Sequence, residues 1–241
     1  MRIIEYKDAN NIVVEFLDDF HSKVKTTWRY FQNGLVNNPF DKTVQNFGFI
    51  GNQEIRDSDG TLSSEYKTWF NMIHRCMMKN TRSKDLSYDG CSICEEWQSF
   101  EEFRKWIRAE PNFEKWKELD DKALDKDILI KGNKIYSPDT CVLVPQNINI
   151  MFTKRERDRG IYPIGVSYHR RGKYFSSSCS NPFSKKLEHL GCFDNLYDAF
   201  IAYKNRKEHL IKEMAMIAYN NGTISKKCYD AMVKYIVEID D

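Results

Sequence analysis

Two carboxylates and a later asparagine are the residues whose types and spacing first point to chemistry in this chain. Asp125 and Asp127 flank Lys126 at the end of a short apolar run, and Asn149 follows a second such run. Carboxylate and amide oxygens are ligands that hard cations such as magnesium prefer. If the fold brings Asp125 and Asn149 together, these two side chains can hold one divalent cation.

The elements that must position these residues are predicted to be two strands and a helix. The run ending at Asp125 predicts a strand, Gly132-Asn133 predicts a turn, and the run from Cys141 to Val144 predicts a second strand. A helix is then expected to begin near Gln146. A ββα unit of this size can place a strand end and a helix beside one cation.

The same stretch resembles a nuclease family. The resemblance rests on ordered motifs, namely an aromatic helix from Tyr66, Cys94-Glu95-Glu96-Trp97, Leu124-Asp125-Lys126 and Tyr136-Ser137-Pro138. In this order they are similar to phage-type HNH (His-Me finger) homing endonucleases, over residues 66 to 152. The resemblance implies a hydrolase that cuts or nicks DNA with a divalent metal, expected to be magnesium. It implies Asp125 and Asn149 as metal ligands and aligns Lys126 with the catalytic His and Thr140 with the family's middle Asn.

Lys126 is the departure that leaves the activity open. The family uses a His as the general base that activates water, whereas a Lys is a poor base at neutral pH unless its pKa is lowered. Asp127 is the candidate substitute for the base. Two hypotheses therefore remain: a nuclease with Asp125, Lys126, Asp127 and Asn149 in its active site, or a catalytically inactive DNA-binding regulator that keeps the scaffold.

A second stretch, residues 161 to 215, contains a further set of ordered motifs. They are Gly165-Val166, Gly172-Lys173-Tyr174, Leu190-Gly191-Cys192-Phe193 and a helix with Ala199, Ala202 and Tyr203. In this order they resemble the Apetala-type (ethylene-response-factor) DNA-binding domain. The resemblance implies three strands laid in the major groove of double-stranded DNA, braced by one helix that Asp194 is expected to cap. It also supports the first resemblance, because versions of this domain recur in phage and mobile-element nucleases.

The DNA-facing side of this sheet follows from the alternation of side chains along a strand. With Val166 turned toward the helix, the residues that alternate with it on the first strand face outward. The outward residues of the second strand are those that the family pattern implies. Basic residues outnumber acidic ones between residues 153 and 192, a pattern typical of a polyanion partner. The candidate DNA contacts are Ser167, His169, Arg170, Arg171, Lys173, Phe175 and Ser177, with Arg155 and Arg159 in a basic linker that tracks the DNA.

Composition predicts an α+β protein of several modules. Hydrophobic residues make up 41% of the 241 residues and aromatic residues 14%, which indicates small cores built on large rings. The expected modules are a small β-rich module (1–60), an HNH-like nuclease module (61–152), an Apetala-type DNA-binding domain (160–216) and a C-terminal helical tail (217–241). The slightly acidic first module is a candidate for binding a host protein.

The cysteines and the apolar runs bear on disulfides, on metal binding and on the cellular compartment of the protein. The seven cysteines are odd in number and scattered, so a disulfide framework is not expected. Cys76, Cys94 and Cys141 could bind a structural zinc, although buried apolar thiols are the favoured reading. Because no apolar run reaches the length of a membrane span and the first residues lack a signal peptide, we expect a cytoplasmic protein of a bacterial host cell, without a membrane partner.

Overall fold

The computed structural model describes residues 1–77, 90–153 and 161–241, and it is a mixed α+β fold with several small sheets. The predicted α+β class is confirmed at that level. The chain divides into two compact units, the first formed by residues 1–107 and 134–137 and the second by residues 108–133 and 138–241. Within the described ranges, every helix is too short or too polar to cross a bilayer.

The first unit opens with an antiparallel sheet of three strands in sequential order. Alternation along the middle strand buries Ile12 and Val14, which pack with Val36 in a small core of their own. A short helix follows, capped by Thr27, whose hydroxyl accepts a hydrogen bond from the Tyr30 N–H. The elements are β1 Arg2–Asp8, β2 Asn11–Glu15, β3 Lys23–Thr26 and α1 Trp28–Gln32.

Aromatic side chains form the second core of this unit. Trp69 and Trp97 are both buried, and the Trp69 Nε1 donates to the Trp97 carbonyl at 2.8 Å. Gly48 is required beside them, since a Cβ there would lie 2.7 Å from both the Trp69 ring and Ile73. The elements are α2 Ser64–Met77, β4 Ser92–Ile93, a 3-10 helix Glu95–Gln98 and α3 Phe100–Ala109, at whose end the chain enters the second unit.

The ββα arrangement predicted from the sequence is present in the second unit. β5 and β7 pair antiparallel, with Leu124 opposite Leu143, and α5 packs against both strands. Between them the chain passes through β6, which belongs to the first unit and pairs there in parallel with β4, so the connection is longer than a single turn. The elements are α4 Phe113–Lys117, β5 Lys122–Asp125, β6 Ile135–Tyr136, β7 Val142–Pro145 and α5 Gln146–Met151.

A three-stranded antiparallel sheet with one long helix across it completes the second unit. The strand order is β10-β9-β8, and α6 packs on β9 most extensively. The cap of α6 is Asn195 rather than the expected Asp194, since the Asn195 Oδ1 accepts from the Asp198 N–H at 2.9 Å. The elements are β8 Val166–His169, β9 Tyr174–Asn181, β10 Lys186–Phe193, α6 Leu196–Asn220 and α7 Lys226–Val233.

One continuous apolar core links the parts of the second unit. It contains Val142 and Ile148 of the ββα arrangement, Tyr203 and Ala215 of α6, and Met232 of α7. Burying these side chains stabilises the unit by roughly 1.5–3 kcal/mol for each large apolar residue. The ββα strands and the three-stranded sheet therefore rest on the same helices.

Candidate functional site

Asp125 is the best-defined polar group of the ββα arrangement. It ends β5 with only 6% of its surface exposed, and its Oδ1 accepts the backbone N–H groups of Asp127 and Ile128, both at 2.8 Å. An Asp side chain that accepts amides two and three residues ahead stabilises a tight turn. Asp125 therefore builds the turn that carries its neighbour Asp127.

The electrostatic environment of Asp125 is unfavourable for a charge. Burial, and after it the charge of the nearby Asp127 carboxylate, raise the pKa of this carboxyl to about 7, against the two backbone amides that lower it. Near neutral pH the desolvated carboxylate and its like-charged neighbour are costly together. A proton or a cation bound at the pair relieves this cost.

Lys126 is placed as a partner of the pair. It is 7% exposed, its Nζ lies 3.2 Å from the Asp127 Oδ2, and its carbonyl accepts a hydrogen bond from the Asn133 Nδ2 at 2.7 Å. The geometry thus pairs Lys126 with the carboxylate of Asp127.

Asn149 lies on α5, which packs against the strand that ends in Asp125. Asn149 is half-buried, and Ile148 and Met151 of the same helix are buried. The fold therefore places the two predicted metal ligands on elements that pack together.

The donor set allows a test of whether a metal fits. Among residues 1–77, 90–153 and 161–241, no group of three or more His, Cys, Asp or Glu could hold a metal ion, and the candidate cysteines Cys76, Cys94 and Cys141 form no such group either. Magnesium, however, binds through one or two carboxylates with several waters retained. Asp125 and Asp127 supply two neighbouring carboxylates of that kind, and Asn149 lies on the helix that packs on β5.

A C-terminal segment of residues 234–241 covers the turn after β5, which the sequence did not indicate. Lys131 donates to the Ile236 carbonyl at 3.1 Å and lies 2.6 Å from Glu238 and 2.8 Å from Asp241. Burial raises the pKa of Tyr235 to about 12, with the Asp241 charge as the second cause and Asp127 also contributing. The sequence carried no signal for this pairing beyond an acidic end of the chain and the presence of Lys131.

In the three-stranded sheet, two of the residues that were predicted to face outward point to the helix side. Cross-strand partners share a face, and the register sets Val166 opposite Ser177 and Tyr168 opposite Phe175. Ser177 is fully buried on the helix side, and the Phe175 ring packs against Tyr168 with the ring centroids 4.9 Å apart. The outward prediction for Phe175 and Ser177 was therefore wrong. The outward positions that the family pattern implied are out of step with this strand by one residue, and such an offset exchanges the two faces of a strand.

The outer face of this sheet is formed by polar side chains. The Ser167 Oγ lies 3.1 Å from the Ser176 Oγ, and the His169 Nε2 lies 3.3 Å from that same hydroxyl. The His169 ring also stacks on Tyr174, with ring centroids 4.8 Å apart. Ser167 and His169, which were both predicted to face outward, are exposed there.

Basic residues lie at both ends of the central strand. The β8–β9 turn exposes Arg170, Arg171 and Lys173, and the β9–β10 turn exposes Lys185, next to the exposed Lys186 that begins β10. The strand between these turns has eight residues, so the two basic ends are roughly 25 Å apart at about 3.3 Å per residue. The predicted contacts Arg155 and Arg159 lie outside the residues that the structure describes.

The helix side of the sheet is held by charge and by close packing. Arg206 donates from Nε to the Glu188 Oε2 at 2.7 Å and from a terminal nitrogen to Oε1 at 3.0 Å, and this guanidinium lowers the pKa of Glu188 to about 2. Gly165 approaches Tyr203 so closely that a Cβ would lie 2.0 Å from its ring. These contacts fix the sheet on α6 and leave its other face open.

In comparisons with known proteins, no protein-family model, curated protein or solved structure matched this chain. Any assignment of function consequently rests on the geometry of the chain's own residues.

Proposed function

We propose that this protein binds double-stranded DNA through the outer face of the sheet formed by β8, β9 and β10. The observation that carries the proposal is a polar strip on the face that α6 leaves uncovered, with an exposed basic turn at each end of the central strand. Lys and Arg neutralise phosphates and release counterions, which supplies most of the affinity for DNA. Hydroxyl and imidazole groups between them can donate to and accept from base edges or phosphates.

The test compares two charge-reduced variants in a fluorescence-anisotropy titration with a labelled duplex. The triple variant Arg170→Ala, Arg171→Ala, Lys173→Ala removes the cations of the β8–β9 turn. We expect weaker binding and a salt dependence whose slope falls by about three, since each lost phosphate contact contributes about one. Equal binding by this variant and the wild type would remove the sheet face from the proposal.

A matched control removes the same charge elsewhere. Lys23, Lys25 and Lys42 are exposed residues of the first unit, and replacing all three by Ala leaves the sheet intact. We expect this control to bind the duplex like the wild type. If both triple variants lose affinity equally, net charge rather than the sheet face determines binding.

A second candidate function is metal-dependent nicking of the bound DNA, which the Asp125–Asp127 pair favours. In this proposal Asp125, Asp127 and Asn149 hold one divalent cation, which when bound stabilises charge on a scissile phosphate. Lys126 balances the charge of Asp127. The competing proposal is a regulator that binds DNA without cutting it, which the burial of Asp125 and the Lys126 ion pair favour.

A plasmid-nicking assay with and without magnesium decides between them. Metal-dependent nicking that Asp125→Ala abolishes would establish the enzyme. Its absence in the wild type, together with duplex binding, would establish the regulator. Lys126→His sharpens the result, because cleavage gained on restoring an imidazole would identify an inactivated nuclease scaffold.

A further inference from the structure

The outer sheet face carries an exposed thiol beside an imidazole. Of the seven cysteines, all of which lie in the described ranges, only Cys192 is exposed, while the other six are buried or half-buried. Its Sγ lies 3.8 Å from the His189 Nε2, and both residues belong to β10. With the proton of the imidazole on Nδ1, the thiol donates to an unprotonated Nε2.

A β-bulge is what brings these two side chains to the same face. Residues three apart in a regular strand point to opposite faces. The register of β10 shifts between His189 and Gly191, so His189 lies opposite Ser178 and Cys192 lies opposite Ser176. An extra residue in one strand restores a common face. That residue is Leu190, which the register leaves without a cross-strand partner, and the next residue, Gly191, has a φ of +136°. The thiol–imidazole pair is thus built by the backbone.

The pair has the composition of an activated nucleophile. A thiolate is the reactive form of cysteine, and a neighbouring imidazole can take the proton that the thiol must lose. Exposure lets an electrophile reach the sulfur. The buried Cys179 on the opposite face of the sheet lacks that access, and burial raises the pKa of its thiol.

We propose that Cys192 is a modification site at which a low-molecular-weight disulfide with anionic groups forms a mixed disulfide, and that this adduct closes the DNA-binding face. His189 accepts the thiol proton, and the Cys192 sulfur attacks one sulfur of the disulfide. The S–S bond breaks, and the departing thiolate takes the proton from His189. The protein gains one mixed disulfide and releases one thiol, so no further oxidant is consumed.

The position of Cys192 determines the effect of the adduct. Its cross-strand partner Ser176 is the hydroxyl that contacts both Ser167 and His169. An adduct on Cys192 therefore lies beside the polar strip, where its bulk and negative charge oppose the approach of phosphates. This consequence rests on the proposed DNA binding, whereas the reactivity of the thiol does not.

The reactivity is tested on the full chain with oxidised glutathione as the probe, followed by peptide mapping in a mass spectrometer. We expect Cys192 to be modified several-fold faster than the half-buried Cys76, Cys91 and Cys94. His189→Asn and His189→Gln are both expected to slow the modification of Cys192, and circular dichroism identifies which of them keeps the fold. Faster modification of another cysteine, or an unchanged rate in a folded His189 variant, would overturn the assignment.

The effect on DNA is tested by the same anisotropy titration before and after modification. We expect the adduct to weaken duplex binding at least several-fold, a reducing thiol to restore it, and Cys192→Ser to bind DNA with no response to the disulfide. Unchanged duplex binding by the modified protein would overturn the proposal that the adduct closes the DNA-binding face. If the reduced wild type binds no duplex, the DNA-binding proposal fails, and the mapping experiment still decides the chemistry of the thiol.

Discussion

Two carboxylates in the second unit are treated in opposite ways by the fold. Glu188 in the three-stranded sheet receives two hydrogen bonds from Arg206, and its pKa is lowered to about 2. Asp125 in the ββα arrangement is buried beside Asp127, and its pKa is raised to about 7. The first charge is compensated by a cation, and the second is desolvated next to a like charge.

This difference separates a structural carboxylate from a candidate functional one. The Glu188–Arg206 pair fastens β10 to α6 and needs no ligand. The Asp125–Asp127 pair is destabilising in the ionised state, and such arrangements concentrate at sites that bind protons, cations or substrates. The two regions also differ in exposure. The outer face of the sheet is exposed, whereas residues 234–241 cover the turn near Asp125.

Replacing Gly165 by Ala should have the largest effect on stability, and the same replacement at Gly132 is its comparison. Gly165 and Gly132 both have positive φ, at +77° and +76°. A Cβ on Gly132 meets no described atom within 4 Å, whereas one on Gly165 meets the Tyr203 ring at 2.0 Å. Gly132→Ala should lower the free energy of unfolding by about 1–2 kcal/mol through backbone strain. Gly165→Ala should carry the same strain and lose about 1–3 kcal/mol more through overpacking. Urea denaturation measures both, and equal costs would contradict the packing of β8 on α6.

Asp125→Asn is the next largest change and should stabilise the protein at pH 8. The folded pKa of Asp125 lies above its unfolded value, so the folded state binds more protons between about pH 4 and 7, and wild-type stability falls as the pH rises through that window. Asn keeps an oxygen acceptor for the turn and removes the charge, and the expected gain is about 1–3 kcal/mol. Thermal denaturation from pH 4 to 8 should show a flatter profile for the variant, and a loss of stability at pH 8 would contradict the like-charge repulsion.

Magnesium should sharpen the same contrast. Ligands that bind only the folded state raise the melting temperature, so magnesium at pH 8 should stabilise the wild type and leave Asp125→Asn unchanged. Differential scanning fluorimetry with magnesium chloride, and with sodium chloride at equal ionic strength, measures the difference. Identical shifts in both proteins would contradict a cation at the pair.

Glu188→Gln should have the smallest effect, and its sign should be opposite to that of Asp125→Asn. The folded pKa of Glu188 is depressed, so its contribution is present above the unfolded pKa and is lost as the pH falls through about 2. Because the pair is partly exposed, solvent screens it and the loss of stability is small. Melting temperatures should therefore differ at pH 7 and converge near pH 2, and a variant more stable than wild type at pH 7 would refute the compensated charge.

Local patterns were sufficient to predict many of the elements. The strand ending at Asp125, the strand from Cys141 and the three strands before α6 were all predicted from apolar runs and turns, and the structure contains them. These elements are set by interactions between near neighbours in the chain. The identity of the modules as nuclease-like and DNA-binding stays a prediction.

The sequence by itself determined many of the strands and helices, because periodicity, turn residues and helix caps act over a few positions. Only the tertiary structure decided which face of β9 is outward, which side chains surround Asp125, and that a bulge joins His189 to Cys192. A shift of one residue in register exchanges two faces without changing the pattern of the strand itself. Likewise, the charge state of a carboxyl depends on burial and on partners such as Arg206, which lie far away in the chain and close only in the fold.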